Sequence, residues 1–217
     1  MVSLLTTFEE QSRPDRAALL IVDMQNDFCA QGGFLQKERG YNVEFAKTVA
    51  ANIETALAAA RAAGMLVVWI RSIYDFKYLA APHILKRGKE GCCLEGSWGA
   101  DFFMLEPRAG EPIVDKHHYS GFVGTKLDDV LREHAIETLI LVGVATNVCV
   151  DSTLRDGFFR GYYIILLEDC VGSNSAAGHS GTLASVRNNI GIVASAAAWI
   201  DVLRNQGRAR SAQTASG

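Results

Sequence analysis

Three residues of this chain could together perform nucleophilic catalysis. Asp23 directly follows the apolar run "ALLIV", Lys116 follows "PIVD", and Cys149 follows the apolar run "TLILVGV" after a short turn. Acyl transfer needs a carboxylate that accepts a proton, an ammonium group that stabilises negative charge and a thiol nucleophile. Each residue also has an ordinary alternative: a cap after a strand for Asp23, a surface lysine for Lys116 and a structural cysteine for Cys149.

The position of Cys149 favours a reactive thiolate. The segment "LVGVATNVCVDSTLRDGFF" (141–159) begins as a buried strand and continues as an amphipathic helix, with the cysteine in the first turn. A helix N-terminus and a nearby ammonium group both stabilise a thiolate relative to a thiol. Backbone N–H groups in the turn "VATNVC" could bind an oxyanion. The turn is therefore predicted to expose and activate a nucleophile.

Apolar runs that alternate with helical stretches must position these residues. Strands are predicted at 17–24, 65–70, 111–116, 138–144, 162–169 and, as a sixth, 191–195. Helices are predicted at 45–64, 125–136 and, as the last one, 176–189, besides the one that follows Cys149. Strands that are apolar on both faces predict a three-layer α/β/α fold with a mostly parallel, roughly six-stranded sheet. If the strands that end in Asp23 and Lys116 are neighbours, the two charges satisfy each other beside the thiol.

Composition limits the classes of protein to which the chain can belong. With 217 residues, 49% hydrophobic and 21% charged, it is predicted to form one globular domain, 1–217, whose segments 1–15 and 206–217 are peripheral or frayed. A net charge of -3 argues against nucleic acid as a partner. No apolar run approaches the roughly 18 residues of a membrane span, and no signal peptide is recognised. Five cysteines without disulfide or zinc-site spacing predict a reduced, cytoplasmic location.

A long irregular segment, 74–111, separates the second and third predicted strands. Loops of this length inside a domain are usually functional or disordered. We expect it to form a lid over the site or a contact between subunits. The adjacent Cys92 and Cys93 within it are too close for an ordinary structural crosslink, and neither their role nor that of Cys170 can be read from the pattern.

Three segments carry a resemblance to a known family. "ALLIVDMQNDFC", "VDKHHYSGF" and "LVGVATNVCVDSTLRDGFFRGYYIILLEDC" resemble, in this order, the motifs of the isochorismatase-like cysteine hydrolase superfamily, and the resemblance extends over about 16–202. It implies that Asp23, Lys116 and Cys149 form a catalytic triad. It also implies a cis peptide bond between Val144 and Ala145, with the N–H groups of Ala145 and Cys149 as the oxyanion hole. The implied reaction is amide hydrolysis through a cysteine thioester, without a cofactor.

Departures from the superfamily pattern bear on the substrate. Nicotinamidases of the superfamily carry a metal-binding Asp-x-His after the second strand, whereas 75–77 here reads Asp-Phe-Lys and the first histidine is His83. His117 and His118 have no third ligand at metal spacing, so no metal is predicted. Isochorismatases that cleave a vinyl ether typically lack the cysteine nucleophile. "YSGF" and "ATNVCVDSTLRDGFF" most closely resemble ureidoacrylate amidohydrolases, with biuret and triuret hydrolases as close relatives.

The resemblance implies a small ureido or carbamoyl substrate: ureidoacrylate, biuret, triuret or an N-carbamoyl amine, with release of ammonia or carbamate. Nicotinamide or another simple amide is the alternative substrate. A non-catalytic binding protein on the same fold and a thiol-transfer enzyme are the rival functions, and an intact triad without a CxxC motif argues against both. The apolar segment "GFFRGYY" and the habits of the superfamily predict a homo-oligomer, either a dimer or a tetramer.

Three residues are candidates for binding the substrate. Phe28 and Tyr119 could flank a planar ureide, or both aromatic rings could belong to the core. Arg71 could bind a substrate carboxylate as a bidentate donor, or it could form a structural salt bridge with Glu90 or Glu95.

Overall fold

Six parallel strands form the central sheet of the computed structural model, which describes residues 4–87 and 91–215. Their order across the sheet is β3-β2-β1-β4-β5-β6. The strands are β1 (Ala17–Val22), β2 (Leu66–Ser72), β3 (Ile113–Lys116), β4 (Thr138–Val144), β5 (Tyr163–Gly172) and β6 (Ile192–Ala194). All five pairings are parallel. The predicted α/β class with a six-stranded parallel sheet is therefore confirmed.

Helices cover both faces of this sheet. They are α1 (Phe8–Gln11), α2 (Asn26–Cys29), α3 (Phe34–Arg39), α4 (Phe45–Ala62), α5 (Ala81–Arg87), α6 (Leu127–Glu133), α7 (Asp151–Phe159), α8 (Ala176–Asn189) and α9 (Ala196–Ala215). Helices α4 and α9 contribute to the core on one face, and α6, α7 and α8 contribute to the core on the other. Within the described residues, no helix has the length and apolar character needed to cross a bilayer.

Strand β1 shows why the central strands carry apolar residues on both faces. All six of its residues are buried, and successive side chains point to opposite faces of the sheet. Leu19 and Ile21 pack in the core beneath α4 and α9, whereas Leu20 and Val22 pack in the core beneath α6, α7 and α8. Both layers of helices are thus anchored on one strand, and its carboxyl end is held in place from both sides.

The two terminal segments lie together at the periphery. Helix α1 begins with a capping box in which Thr7 and Glu10 bond each other's backbone N–H groups. The side chain of Gln206 donates a hydrogen bond to the carbonyl of Glu9 (2.7 Å). Helix α9 continues to Ala215, within the segment 206–217 that is predicted to be peripheral or frayed. Residues 1–3 and 216–217 lie outside the described ranges.

Phe158 and Phe159 end helix α7, within the segment predicted as a subunit interface. Their exposed fractions are 39% and 76%. The homo-oligomer stays a prediction, and analytical ultracentrifugation of the purified chain checks it: a monomer at working concentration would contradict it.

Gly143 allows β1 and β4 to approach closely just before the candidate site. Its φ is 113°, in a region that residues with a side chain rarely adopt. A Cβ atom added there would overlap the carbonyl oxygen of Val22 and lie 2.8 Å from the Val22 nitrogen. A side chain at this position would therefore force apart the two strands that lead to Asp23 and Cys149.

Replacing Gly143 with alanine is expected to lower the free energy of unfolding by about 2–4 kcal/mol, because strain at positive φ and a steric overlap add together. Urea denaturation followed by circular dichroism measures the change. Gly110→Ala is the matched control, since Gly110 also has positive φ (90°) but nothing lies within 4 Å of an added Cβ. Equal losses in the two variants would show that the overlap with Val22 contributes nothing.

Candidate active site

The three predicted catalytic residues meet at the carboxyl edge of the sheet. Asp23 follows β1, Lys116 ends β3, and Cys149 follows β4. Asp23 and Cys149 line the same cavity, and the Nζ of Lys116 lies 2.8 Å from the Oδ2 of Asp23. The structure thus brings these three residues together, as their positions after apolar runs suggested.

Lys116 reaches Asp23 across an intervening strand. A direct pairing of β1 with β3 was the condition set for this contact, but β2 lies between the two strands. Ser72, which is paired in register with Lys116, fills the gap: its hydroxyl donates to Asp23 Oδ1 (2.9 Å) and accepts from Lys116 Nζ (2.8 Å). The carboxylate and the ammonium group are therefore held together both directly and through one serine.

The ammonium group of Lys116 is charged although it is completely buried. Burial by itself lowers the pKa of a lysine, but the Asp23 carboxylate and the Cys149 sulfur raise it, and the result is a pKa above the ordinary lysine value. The Nζ also donates to the carbonyl of His118 (3.1 Å) and to the hydroxyl of Tyr74 (3.3 Å). A permanent positive charge is thus fixed beside the carboxylate.

Tyr74 connects this ion pair to the thiol. Its hydroxyl lies 3.9 Å from the Sγ of Cys149 and donates to the carbonyl of His118 (3.3 Å). The ring is buried, and its centroid lies 5.4 Å from Lys116 Nζ. Sequence reasoning missed both Tyr74 and Ser72. The available signal was the segment "SIY", in which two polar side chains two residues apart follow the apolar part of β2.

Cys149 lies in a π-helical turn, Thr146–Val150, that precedes α7. The expectation of a cysteine in the first turn of a regular α-helix is corrected in this detail, because the wider turn intervenes between β4 and α7. The carbonyl of Ala145 accepts from the backbone N–H groups of Val148 (2.9 Å) and Val150 (3.3 Å). The peptide bond between Val144 and Ala145 is cis, as the resemblance implied. The cysteine is 6% exposed and opens onto the cavity.

Asp23 marks the point at which the chain leaves the sheet. Its backbone N–H still bonds to the carbonyl of Ile70 (2.9 Å), but its φ of 51° lies in the left-handed region. Among residues with a side chain, aspartate and asparagine tolerate that conformation best. The turn directs the following chain away from β2, and its carboxylate remains 1% exposed.

Gln25 fills the space that this departure leaves beside β2. Its side-chain amide donates to the carbonyl of Ser72 (2.9 Å) and to that of Ala100 (2.9 Å), and its oxygen accepts from the N–H of Ser72 (2.7 Å). The side chain is fully buried. Gln25 therefore holds the backbone of the serine that bridges the ion pair.

The cavity above these groups has a volume of about 430 Å³. It is lined by Asp23, Phe28, Phe34, Leu35, Arg39, Tyr41, Val43, Phe45, Lys86, Tyr119, Val144, Ala145, Val148, Cys149 and Asn174. Such a volume suits a small organic molecule. Two of the three residues predicted to bind substrate, Phe28 and Tyr119, are in this lining.

Arg71, the third of these residues, is not brought to the cavity. Its guanidinium group forms a bidentate ion pair with Asp115, at 2.7 and 2.9 Å, and the two residues are paired in register on β2 and β3. The structural salt bridge considered from the sequence therefore exists with a different partner. Glu95 lies 3.4 Å from Lys77 instead, and Glu90 lies outside the described residues.

The segment 74–111 contributes to the cavity through Lys86 of α5. Deeper in this segment, the N–H of Cys93 donates to the Oδ2 of Asp27 (2.6 Å), and the sulfurs of Cys92 and Cys93 lie 3.9 Å apart. Across residues 4–87 and 91–215, these three residues form the one group of at least three possible metal ligands that lie close together. That the segment forms a lid or a contact between subunits stays a prediction.

The residues at the positions of the nicotinamidase metal motif have other partners. The carboxylate of Asp75 accepts from the N–H of Glu95 (3.3 Å). The ring of His83 lies edge-on to those of Tyr74 and Tyr119, with centroids 5.3 and 4.8 Å apart. This region is therefore built from aromatic contacts and backbone hydrogen bonds.

Comparison with known proteins shows the family to which the chain belongs. The model of the Isochorismatase domain matches residues 17–198, which is most of the chain. The chain belongs to the isochorismatase family. Among curated proteins, the ureidoacrylate amidohydrolase RutB of Klebsiella pneumoniae (strain 342) is 42% identical to this family member over 173 residues, or 72% of this chain and 73% of the relative.

Solved structures resemble this isochorismatase-family chain over most of its length. A cysteine hydrolase from Pseudomonas syringae pv. phaseolicola 1448A is 30% identical with a TM-score of 0.78, covering 88% of this chain and 94% of its own. The N-carbamoylsarcosine amidase from Thermoplasma acidophilum is 28% identical with a TM-score of 0.71, covering 83% and 96%. The resemblance stated from three motifs is thus confirmed for the family.

Proposed function

We propose that this chain is a cysteine amidohydrolase that cleaves a C–N bond of a small ureido compound through a thioester on Cys149. The observation that carries the proposal is the convergence of a buried Asp23–Lys116 ion pair and the Cys149 thiol at one end of a cavity for a small molecule. The family and the curated relatives make the chain a hydrolase of C–N bonds other than peptide bonds.

In the first half of the reaction, Asp23 accepts the proton of the Cys149 thiol. Its Oδ1 accepts a hydrogen bond from Ser72, its Oδ2 lies 2.8 Å from the Lys116 Nζ, and the residue lines the same cavity as the thiol. The thiolate sulfur then bonds to the substrate carbonyl carbon. The N–H groups of Ala145 and Cys149 bind the resulting oxyanion, and the Lys116 charge supports it. The C–N bond breaks, and the leaving nitrogen takes the proton from Asp23.

In the second half, the same groups cleave the thioester. Asp23 accepts a proton from water, and the hydroxide bonds to the acyl carbon while the C–S bond breaks. Cys149 leaves as a thiolate and recovers its proton from Asp23. Because Lys116 is charged throughout, the carboxylate always has a positive neighbour whichever protonation state the thiol is in. All four proton transfers thus use one carboxylate, without a cofactor.

Ureidoacrylate is the favoured substrate. It is the compound named for the curated relatives at 42% identity, and the motifs around Cys149 resembled those enzymes. Biuret, triuret and N-carbamoyl amines offer the same scissile bond. A nicotinamidase-like or other simple-amide hydrolase is the alternative, since the same triad would serve it.

A panel of substrates tests the proposal. Ammonia release, after any carbamate has decomposed, is measured with ureidoacrylate, N-carbamoyl amino acids, biuret, triuret and nicotinamide. We expect turnover of a ureido compound, with ureidoacrylate preferred. Activity on nicotinamide alone would keep the triad and overturn the substrate class. No ammonia release from any of these compounds would overturn the amidohydrolase proposal itself.

A further inference from the structure

We propose that Arg39 and Lys86 bind a carboxylate at the mouth of the catalytic cavity, so that the substrate is a ureide with an anionic group at the end opposite its scissile bond. The inference deepens the proposed function and rests on it for the position of the scissile bond. It assigns to these two residues the carboxylate-binding role that the sequence suggested for Arg71.

The depth of the lining residues orients the substrate. Asp23 and Cys149, at 1% and 6% exposure, lie at the inner end of the cavity. Arg39 and Lys86 are exposed and therefore lie at its outer end. A substrate whose carbonyl reaches the thiol thus extends outward towards two cationic side chains.

Most of the other side chains in the lining are apolar. They belong to Phe28, Phe34, Leu35, Val43, Phe45 and Val148, whereas Tyr41, Tyr119 and Asn174 also bring polar groups. Such a wall offers few hydrogen-bonding partners, and burying polar substrate groups against it costs free energy. It suits a short hydrocarbon linker between the ureido group and the charged end.

Arg39 is placed over the mouth by the way in which α3 ends. It is the last residue of that helix, and Gly40 follows in the left-handed conformation (φ 64°). The chain then turns back, so that the N–H of Tyr41 bonds to the carbonyl of Leu35 (3.1 Å) and Tyr41 also lines the cavity. The guanidinium carbon of Arg39 lies 5.8 Å from the centroid of the Phe34 ring. This stacking keeps the cation beside the apolar wall.

The charged residues of the described lining are two cations and one anion. Asp23, Arg39 and Lys86 are the charged residues in the described lining, and the charge of Asp23 is balanced by Lys116. Two positive charges at the opening of a low-dielectric cavity attract an anion and concentrate it there. Arginine suits a carboxylate best because its planar donors can bind both oxygens.

A cationic mouth and an apolar wall distinguish between the candidate substrates. Biuret, triuret and nicotinamide carry no carboxylate, and the first two have no apolar linker. Ureidoacrylate has a ureido group, two apolar carbons and a carboxylate in that order. The cavity therefore fits an ω-carboxylated ureide from its triad to its mouth.

The test compares (Z)-3-ureidoacrylate with its uncharged carboxamide, (Z)-3-ureidoacrylamide. Arg39→Gln is expected to lower kcat/KM for the acid by roughly tenfold to a hundredfold, the range for a lost charge-assisted hydrogen bond, and to leave the carboxamide nearly unchanged. Lys86→Gln should also lower kcat/KM for the acid alone. The expected loss is roughly threefold to tenfold, because an exposed ammonium group is well screened. Lys37→Gln, the same change of charge on α3 outside the cavity lining, and Arg71→Gln are the controls and should leave the ratio of acid to carboxamide unchanged.

Equal losses for both compounds, or none, would overturn the carboxylate site. Binding of (Z)-crotonate, measured by titration calorimetry, separates this failure from that of the proposed function because it requires no turnover. Suppose that the wild-type chain hydrolyses no ureide but binds crotonate, and that the Arg39→Gln variant does not bind crotonate. The carboxylate site is then correct and the ureide assignment is wrong. If crotonate binds equally to both proteins, or to neither, the site is wrong.

Discussion

Cys149→Ala is expected to reduce turnover of the preferred ureide by roughly 10⁴-fold or more while leaving the fold intact, since loss of the nucleophile removes the covalent route. The side chain is small and borders the cavity, so its removal leaves little unfilled space in the core. Steady-state kinetics measures the loss. Acid-quenched wild-type protein should in addition carry an acyl group on the peptide that contains Cys149, which mass spectrometry identifies.

Cys170→Ala is the matched control for this experiment. Cys170 is also buried, at the carboxyl half of β5, and burial raises the pKa of its thiol, so that it stays protonated at neutral pH. We expect this variant to retain activity. A Cys149→Ala protein with wild-type turnover, or an acyl group found on another cysteine, would refute the mechanism.

Lys116→Met is expected to abolish activity and also to lower the free energy of unfolding by about 3–5 kcal/mol, because Asp23 would remain buried without its counter-ion. The pKa of Lys116 in the folded protein is raised, so its stabilising contribution is complete below the ordinary lysine pKa and is lost only as the pH rises through the folded value. Urea denaturation at pH 7 therefore measures the full effect.

A double-mutant cycle with Asp23→Asn isolates the ion pair. The single variant Asp23→Asn leaves a buried ammonium group unpaired, whereas the double variant removes both charges and keeps the shapes of both side chains. We expect the double variant to be more stable than either single variant and to remain inactive. If the losses of stability simply add, the pair contributes no coupling energy and Lys116 must be held by its other contacts, to Ser72, Tyr74 and His118.

The proposed catalytic residues could be picked out from the sequence because of where strands end. Asp23 and Lys116 each stand at the end of an apolar run, and parallel strands bring their carboxyl ends to one edge. Periodicity does not reveal which strands are neighbours, however. The order β3-β2-β1-β4 places β2 between the acid and the lysine, so the bridging role of Ser72 emerges only with the sheet topology.

The substrate end of the site was harder to predict. Arg71 and Ser72 are consecutive in β2, and side chains in a strand alternate between faces, so the inward position of Ser72 puts Arg71 on the opposite side. Arg39 and Lys86 lie on short helices, where exposed cations are common and carry no recognisable pattern. Only the folding of α3 and α5 around the cavity distinguishes them from other surface charges.

The hydrogen bonds of Gln25 explain how β1 and β2 can separate without leaving backbone groups of β2 unbonded. Beyond Val22, β1 no longer accompanies β2, and the N–H and carbonyl of Ser72 would otherwise face an empty position on that side. The glutamine amide presents one acceptor and one donor to them, as a peptide group of a continuing strand would. Asparagine is a methylene shorter, and glutamate has no donor. A side chain that imitates main chain thus completes the sheet hydrogen bonds of Ser72 at the point where the chain turns away after Asp23.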